Sequence, residues 1–193
     1  MDAGKYRRVS EEKLLKHCSP TLAGLKTGSM FNLTGCREGL NSYMRSLNER
    51  LSVKGVRVIP LKFSDESALV YVYRPKRLEK DLKDDCTAKI LVGLGYDVKS
   101  VPKCLACLIK RMRAEQNFPH EVGLFLSYPP EDVKGFIENG GECFKCCGCW
   151  KVYGDVSLSE RTFCKYKRCT DVYVKCYREG IELEKLTVRE IAK

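Results

Sequence analysis

The residues best equipped for chemistry in this chain are thiols. Cys143, Cys146, Cys147 and Cys149 fall within one short run, directly after the turn-forming pair Gly140-Gly141. Thiolates are soft ligands, and two-residue spacers let neighbouring sulfurs reach one ion. The run could therefore wrap zinc or an iron–sulfur cluster. Clean zinc sites more often use two CxxC knuckles at a fixed separation, so the alternative is a set of reduced, spare thiols. Cys104 and Cys107 form a separate CxxC pair, able to complete a site or act as a redox couple. Cys104 falls about one turn inside its expected helix, not at the start where a thiolate is best stabilised. Small core residues are the simpler reading of that pair.

A second constellation is nucleophilic. A thiol needs a base to attack at neutral pH, and histidine is the usual one. The chain has two histidines, and His120 stands directly before an apolar run. Cys18 as nucleophile, His120 as base and Glu121 or Asp155 as orienter would make a thiol site, in the chain order of papain-like enzymes. Beside it stands the structural reading, a histidine at a strand end with its hydrogen bonds satisfied. A third candidate is the run Trp150-Lys151-Val152-Tyr153-Gly154-Asp155. Read as a strand, it places Lys151 and Tyr153 on one face, where Lys151 can bind an anion, and Trp150 and Val152 on the other. No phosphate loop is present. Gly93-Leu94-Gly95 lacks the rest of a dinucleotide fingerprint and sits at a helix end.

These groups need elements to hold them. Ser10 can cap a first helix that Ser19-Pro20 stops. Ser29–Leu33 reads as a short strand, and Thr34 caps a second helix with Leu40, Tyr43, Met44, Leu47 and Leu51 at helical spacing. Val56–Phe63 and Ala68–Tyr73 flank the turn residues 64–67, which predicts an antiparallel hairpin. Pro75 opens a long helix reaching Leu94, and Ser100 caps the next. Val122–Tyr128 reads as a buried strand. Pro129-Pro130-Glu131-Asp132 starts a helix, because proline suits the first turn and carboxylates suit the helix dipole. Cys149–Tyr153 reads as a strand, and a last long helix runs over 158–178, with 181–193 as a tail. Cys36, Cys86, Cys169 and Cys176 fall on helix faces as core residues. The pattern is an α/β or α+β fold, a single domain over 1–193 with a mixed sheet of about five strands packed with helices.

Composition narrows the class. The 193 residues are 44% hydrophobic and 31% charged, which excludes a disordered or fibrous chain. The polar amino terminus has no apolar signal segment, and no stretch has the length of a membrane span. Twelve cysteines without a secretory signal place the chain in a reducing, intracellular compartment. The net charge of +10 is spread: +6 over residues 1–74, +1 over 75–140 and +3 over 141–193. No nucleic-acid reading motif accompanies it, so a solvated basic surface is favoured over a nucleic-acid partner.

Three segments, 17–26 (HCSPTLAGLK), 118–137 (FPHEVGLFLSYPPEDVKGFI) and 150–155 (WKVYGD), give the chain a resemblance. It resembles an uncharacterised domain-of-unknown-function family, number 3793, of anaerobic Gram-positive bacteria, over essentially the whole length. The resemblance implies a cytoplasmic single-domain protein and supplies no activity. The family pattern includes the positions here numbered Cys18, Lys26, His120, Glu121, Lys151 and Asp155. Lys26 thereby joins Lys151 and Tyr153 as a candidate anion or ligand contact. The family usually carries Gly-Tyr-Trp where this chain has Gly148-Cys149-Trp150, so the cysteines around 143–149 look like a departure. The expected function is thiol-based redox chemistry or thiolate–metal handling. The alternatives are a Cys18/His120 thiol enzyme and a basic nucleic-acid or protein-binding module.

Overall fold

The turn residues Ser64-Asp65-Glu66-Ser67 do fold the chain back on itself. The structure, a computed structural model, describes residues 3–114 and 118–190. Strands β2 (Arg57–Ser64) and β3 (Ser67–Tyr73) pair antiparallel, closing at Ser64 opposite Ser67. Strand β1 (Gly28–Thr34) adds antiparallel to the other edge of β3, giving the order β1-β3-β2. Pro60 sits on the edge strand β2, where a missing N–H is tolerated, and the register slips between Pro60 and Lys62.

The chain divides into two compact units, Met1–Pro75 with Tyr166–Lys193, and Lys76–Lys165. In the first, helices α1 (Ala3–Leu22) and α2 (Arg37–Leu51) lay apolar faces on this sheet. Leu14, Leu15, Cys18 and Leu22 of α1 and Leu40, Met44 and Leu47 of α2 join Phe31, Val70 and Val72 in one core. The second holds α3 (Pro75–Leu82, opening at the boundary), α4 (Asp85–Gly93), α5 (Val101–Ala114), α6 (Val122–Phe125) and α7 (Pro130–Glu138). A small hairpin of β4 (Cys146–Cys147) and β5 (Lys151–Val152) follows. Helix α8 (Val156–Arg178) begins in this unit and ends in the first, which also carries α9 (Leu183–Leu186).

The mixture of helix and strand is as expected, but the sheet is not. In place of one mixed sheet of about five strands, the described residues form a three-stranded and a two-stranded sheet, both antiparallel. The largest difference is at Val122–Tyr128, which is helix α6 and a turn rather than a strand. Val122 through Leu126 are all buried, and an apolar run buried on every side carries no period from which to tell the two apart. The expected long helix from Pro75 breaks where Asp84 caps α4, its carboxylate accepting from Thr87 N–H at 3.0 Å. Cys36 and Cys86 are exposed, not core: Cys36 precedes α2 at its cap position and Cys86 lies in the first turn of α4. No described helix is long and apolar enough to cross a membrane.

Helix α1 was expected to stop at Ser19-Pro20, and it runs one turn further. Arg74 supplies the reason. Its side chain is buried, with Nε donating to Thr21 O at 2.7 Å and Nη2 to Leu22 O at 2.7 Å. Nη2 also donates to Val188 O at 2.8 Å, and Nη1 to Lys54 O at 3.3 Å. The last carbonyls of a helix lack intrahelical partners and carry partial negative charge, so a guanidinium suits them. One side chain thus ties the end of α1, the turn after α2 and the carboxy-terminal segment to the end of β3. Arg74→Met should cost about 2–4 kcal/mol, because it leaves buried carbonyls without donors. Urea unfolding would show this as a lower midpoint at unchanged slope; an unchanged midpoint would deny Arg74 this role.

Candidate functional site

Asp132 organises the second unit's chemistry. It is the third residue of α7, started by Pro129-Pro130, and its carboxylate is 2% exposed. Oδ2 accepts from the Trp150 indole N–H at 2.7 Å. Oδ1 accepts from the backbone N–H of Tyr153 at 2.7 Å and of Gly154 at 2.8 Å. A carboxylate in the first turn of a helix also faces the positive end of the dipole. The charge is therefore met by directed donors, and the hairpin is fixed against α7. Trp150 is held in turn by Tyr128, stacked at 4.8 Å, and by Phe163, edge-on at 4.5 Å. Gly135 lets the hairpin approach: a Cβ there would collide with the Tyr153 side chain.

A cavity of about 200 Å³ opens beside this hub. Val122, Gly123 and Val133 floor it, and the rings of Phe118, Tyr128, Phe136 and Trp150 wall it. His120 and Lys151 stand at its edge and flank one ring. The His120 imidazole lies 4.8 Å from the Phe136 ring centre, and the Lys151 ammonium lies 5.8 Å from it. Lys151 Nζ also sits 4.7 Å over the Phe144 ring and donates to Gly141 O at 2.6 Å. An ammonium has three N–H donors, and among the described residues no carboxylate pairs with this one. Neither nitrogen of the exposed His120 ring has a hydrogen-bond partner among the described residues. Phe118 is 50% exposed, so an uncovered aromatic ring completes the rim.

The other candidate residues take different places. Glu121 is buried and faces away from base chemistry: it accepts from Tyr96 Oη at 2.8 Å and pairs with Arg111 at 2.6 Å. Burial and that carboxylate together push the Tyr96 phenol well above its ordinary range. Asp155 is exposed and caps α8, accepting from Leu158 N–H at 2.9 Å. Tyr153 packs against Gly135 and donates its hydroxyl to Glu142 O at 2.9 Å. Cys18 and Lys26 belong to the first unit. Cys18 lies in its core with no exposure, and burial pushes its thiol far above the usual range while the Lys26 charge pulls weakly the other way. Lys26 is half-buried and lies 5.8 Å from the Tyr166 ring.

The cysteines of 143–149 do not assemble a metal site. Among the described residues no three His, Cys, Asp or Glu side chains are placed to hold an ion. The cause is local. Cys146 and Cys147 are neighbours on β4, and neighbouring strand residues point to opposite faces. Cys143 sits earlier in a turn at φ +59°, and Cys149 lies in the exposed hairpin loop. The zinc or iron–sulfur expectation thus has no ligand set in this geometry. Cys104 is buried and donates its thiol to Asp97 O at 3.1 Å, a packed role that burial reinforces by raising its pKa to about 11.

The family model described as "Protein of unknown function (DUF3793)" matches residues 14–187, which takes in most of both units. The chain belongs to that family. No curated protein and no solved structure matches it. Of the positions that the sequence resemblance pointed to, this DUF3793 member brings His120 and Lys151 to one cavity. It uses Glu121 and Asp155 as structural partners in the same unit. Asp132, Tyr128 and Phe136 were missed as site residues. The paired prolines marked a helix start, but nothing in sequence says that Asp132 reaches a tryptophan eighteen residues on.

Two outcomes follow. Asp132→Ala should destabilise by about 2–4 kcal/mol, since three donors lose their acceptor. It should also shift the emission of Trp150, the chain's one tryptophan, to the red. Unfolding curves followed by that emission read both, and unchanged curves would deny Asp132 its role. Native alkylation with iodoacetamide, read by peptide mass spectrometry, should modify Cys143, Cys147 and Cys149 early and leave Cys18 unmodified. Early modification of Cys18 would overturn its assignment to the core.

Proposed function

We propose that this DUF3793 protein binds a small organic anion in the second-unit cavity. One observation carries the reading: His120 and Lys151, with hydrogen-bonding capacity unclaimed by the described residues, flank the Phe136 ring at the edge of an aromatic-walled cavity. An apolar recess with a few convergent polar groups is the usual form of a small-ligand site. The apolar walls give affinity. Lys151 supplies the charge, and His120 supplies a donor or acceptor that its protonation decides.

The thiol readings have less behind them. A nucleophile must be deprotonated and reachable, and Cys18 is neither. Redox chemistry at the exposed hairpin thiols needs no metal, but burial and the nearby Glu160 and Asp132 carboxylates push the Cys146 thiol up. A nucleic-acid partner gains nothing from the buried Arg74, used on carbonyls, or from the half-buried Arg111 and Arg50, used on Glu121 and on Glu11 and Glu184.

Backbone and side-chain NMR shifts, followed while small carboxylates, sulfonates and phosphate monoesters are added, test the proposal. At least one class should give saturable shifts centred on residues 118–123, 133–136 and 150–151. Lys151→Met should weaken that binding roughly tenfold, the value of one charged hydrogen bond. No saturable shift with any class, or equal affinity in Lys151→Met, would overturn it.

A further inference from the structure

We infer that the anion is a small aromatic carboxylate, an inference that rests on the proposed anion site and narrows it. Size is the first argument. A dry apolar cavity of about 150 Å³ holds one benzene molecule. The present cavity, about 200 Å³, holds one six-membered ring with one small substituent. Acetate or inorganic phosphate would leave apolar walls without contacts, which forfeits dispersion energy.

The walls give the second argument. Phe118, Tyr128, Phe136 and Trp150 reach the lining from different elements: the segments flanking α6, α7 itself, and the loop before β5. Aromatic pairs gain about 0.5–1.5 kcal/mol beyond area burial when stacked or edge-on, so a flat guest is selected over a puckered one. The Trp150 wall is also already fixed. Trp150 is tied to Asp132 and wedged between Tyr128 and Phe163, so little ordering remains to be done on binding.

Charge gives the third. One ammonium with donors to offer, with an imidazole on the same lining, matches a singly charged carboxylate. Among the lining residues there is no arginine, the usual fork for a doubly charged phosphate. The Lys151 ammonium lies 5.8 Å and the His120 imidazole 4.8 Å from the Phe136 ring centre, so both polar groups stand beside one aromatic ring of the lining. The Asp132 carboxylate also lines the cavity; donors from Trp150, Tyr153 and Gly154 hold its oxygens, which damps its repulsion of a guest anion without removing its charge.

Trp150 reports occupancy directly, since it is both the one tryptophan and a wall of the cavity. The full chain is titrated with benzoate, benzamide, cyclohexanecarboxylate and acetate, by Trp150 emission and by calorimetry. Benzoate should bind saturably. Benzamide, its neutral isostere, should bind at least tenfold more weakly, and so should the puckered acid and acetate. These comparisons use the wild-type protein, so they do not depend on a variant that folds. Lys151→Met should bring benzoate down to the affinity of benzamide. If acetate or cyclohexanecarboxylate binds as well as benzoate, the aromatic class is wrong while the anion site stands. If benzamide binds as well as benzoate, the charge argument fails and both readings fall. If none of the four binds, the aromatic carboxylate is wrong, and the NMR series over sulfonates and phosphate esters decides the anion site separately.

Discussion

An ion taken out of water costs several kcal/mol unless its hydrogen-bonding capacity is met, and each unit of this chain meets that demand once with its own backbone. In the first unit the ion is Arg74, whose guanidinium donates to carbonyls of Thr21, Leu22, Lys54 and Val188. In the second it is Asp132, whose carboxylate gathers the indole of Trp150 and two backbone N–H groups. Arg74 draws its partners from three segments far apart in the chain, and Asp132 draws its own from one hairpin, 18 to 22 residues on. The charge can be buried only when those segments are in place, so it selects one arrangement of them. Apolar contacts alone would tolerate several.

The consequence at Asp132 is functional geometry. The hairpin that carries Lys151 has only two short strands and could not hold a register alone. The carboxylate fixes Tyr153 and Gly154 from one side, and the aromatic sandwich of Tyr128, Trp150 and Phe163 fixes it from the other. Lys151 lies between those anchors, so its ammonium is delivered to the Phe136 ring by a braced backbone. His120 is delivered by the helical turn that precedes α6, where Gly123 N–H bonds back to His120 O at 3.2 Å. Preorganised walls with polar groups left open at the rim are what distinguish a binding recess from a packing defect.

How much of this could be read from sequence depended on whether the signal was local. The β2–β3 hairpin was legible because its turn residues and alternating runs lie side by side. The helices holding Leu40 to Leu51 and Val101 to Met112 were legible because their faces repeat at helical spacing. The segment 122–128 was not, because residues buried on all sides erase the period. His120 and Lys151 were legible as candidates by residue type, and Trp150 and Val152 are buried on one face as the alternation predicted. Their common ring, Phe136, lies in the resembling segment 118–137 with no role assigned to it there. Arg74 and Asp132 were invisible as hubs. Each looks like an ordinary charge within two residues of a proline, and its role exists only once chain segments separate in sequence have met.

The cysteines show the same rule from the other side. Type and spacing made 143–149 the most conspicuous feature of the chain, yet strand geometry divides it: adjacent residues on β4 face opposite ways, and the flanking thiols sit in turns. Cys18, conspicuous by its place in the resembling segment, is a small apolar residue of the first unit's core. What separates a reactive group from a structural one here is satisfaction. Glu121, Asp132 and Asp155 each have their oxygens engaged by donors within the unit, and so they build. His120 and Lys151 keep donors and acceptors in reserve beside an apolar recess. A folded chain leaves polar capacity unclaimed at such a place without loss only where water or a ligand can claim it, and the aromatic walls favour the ligand.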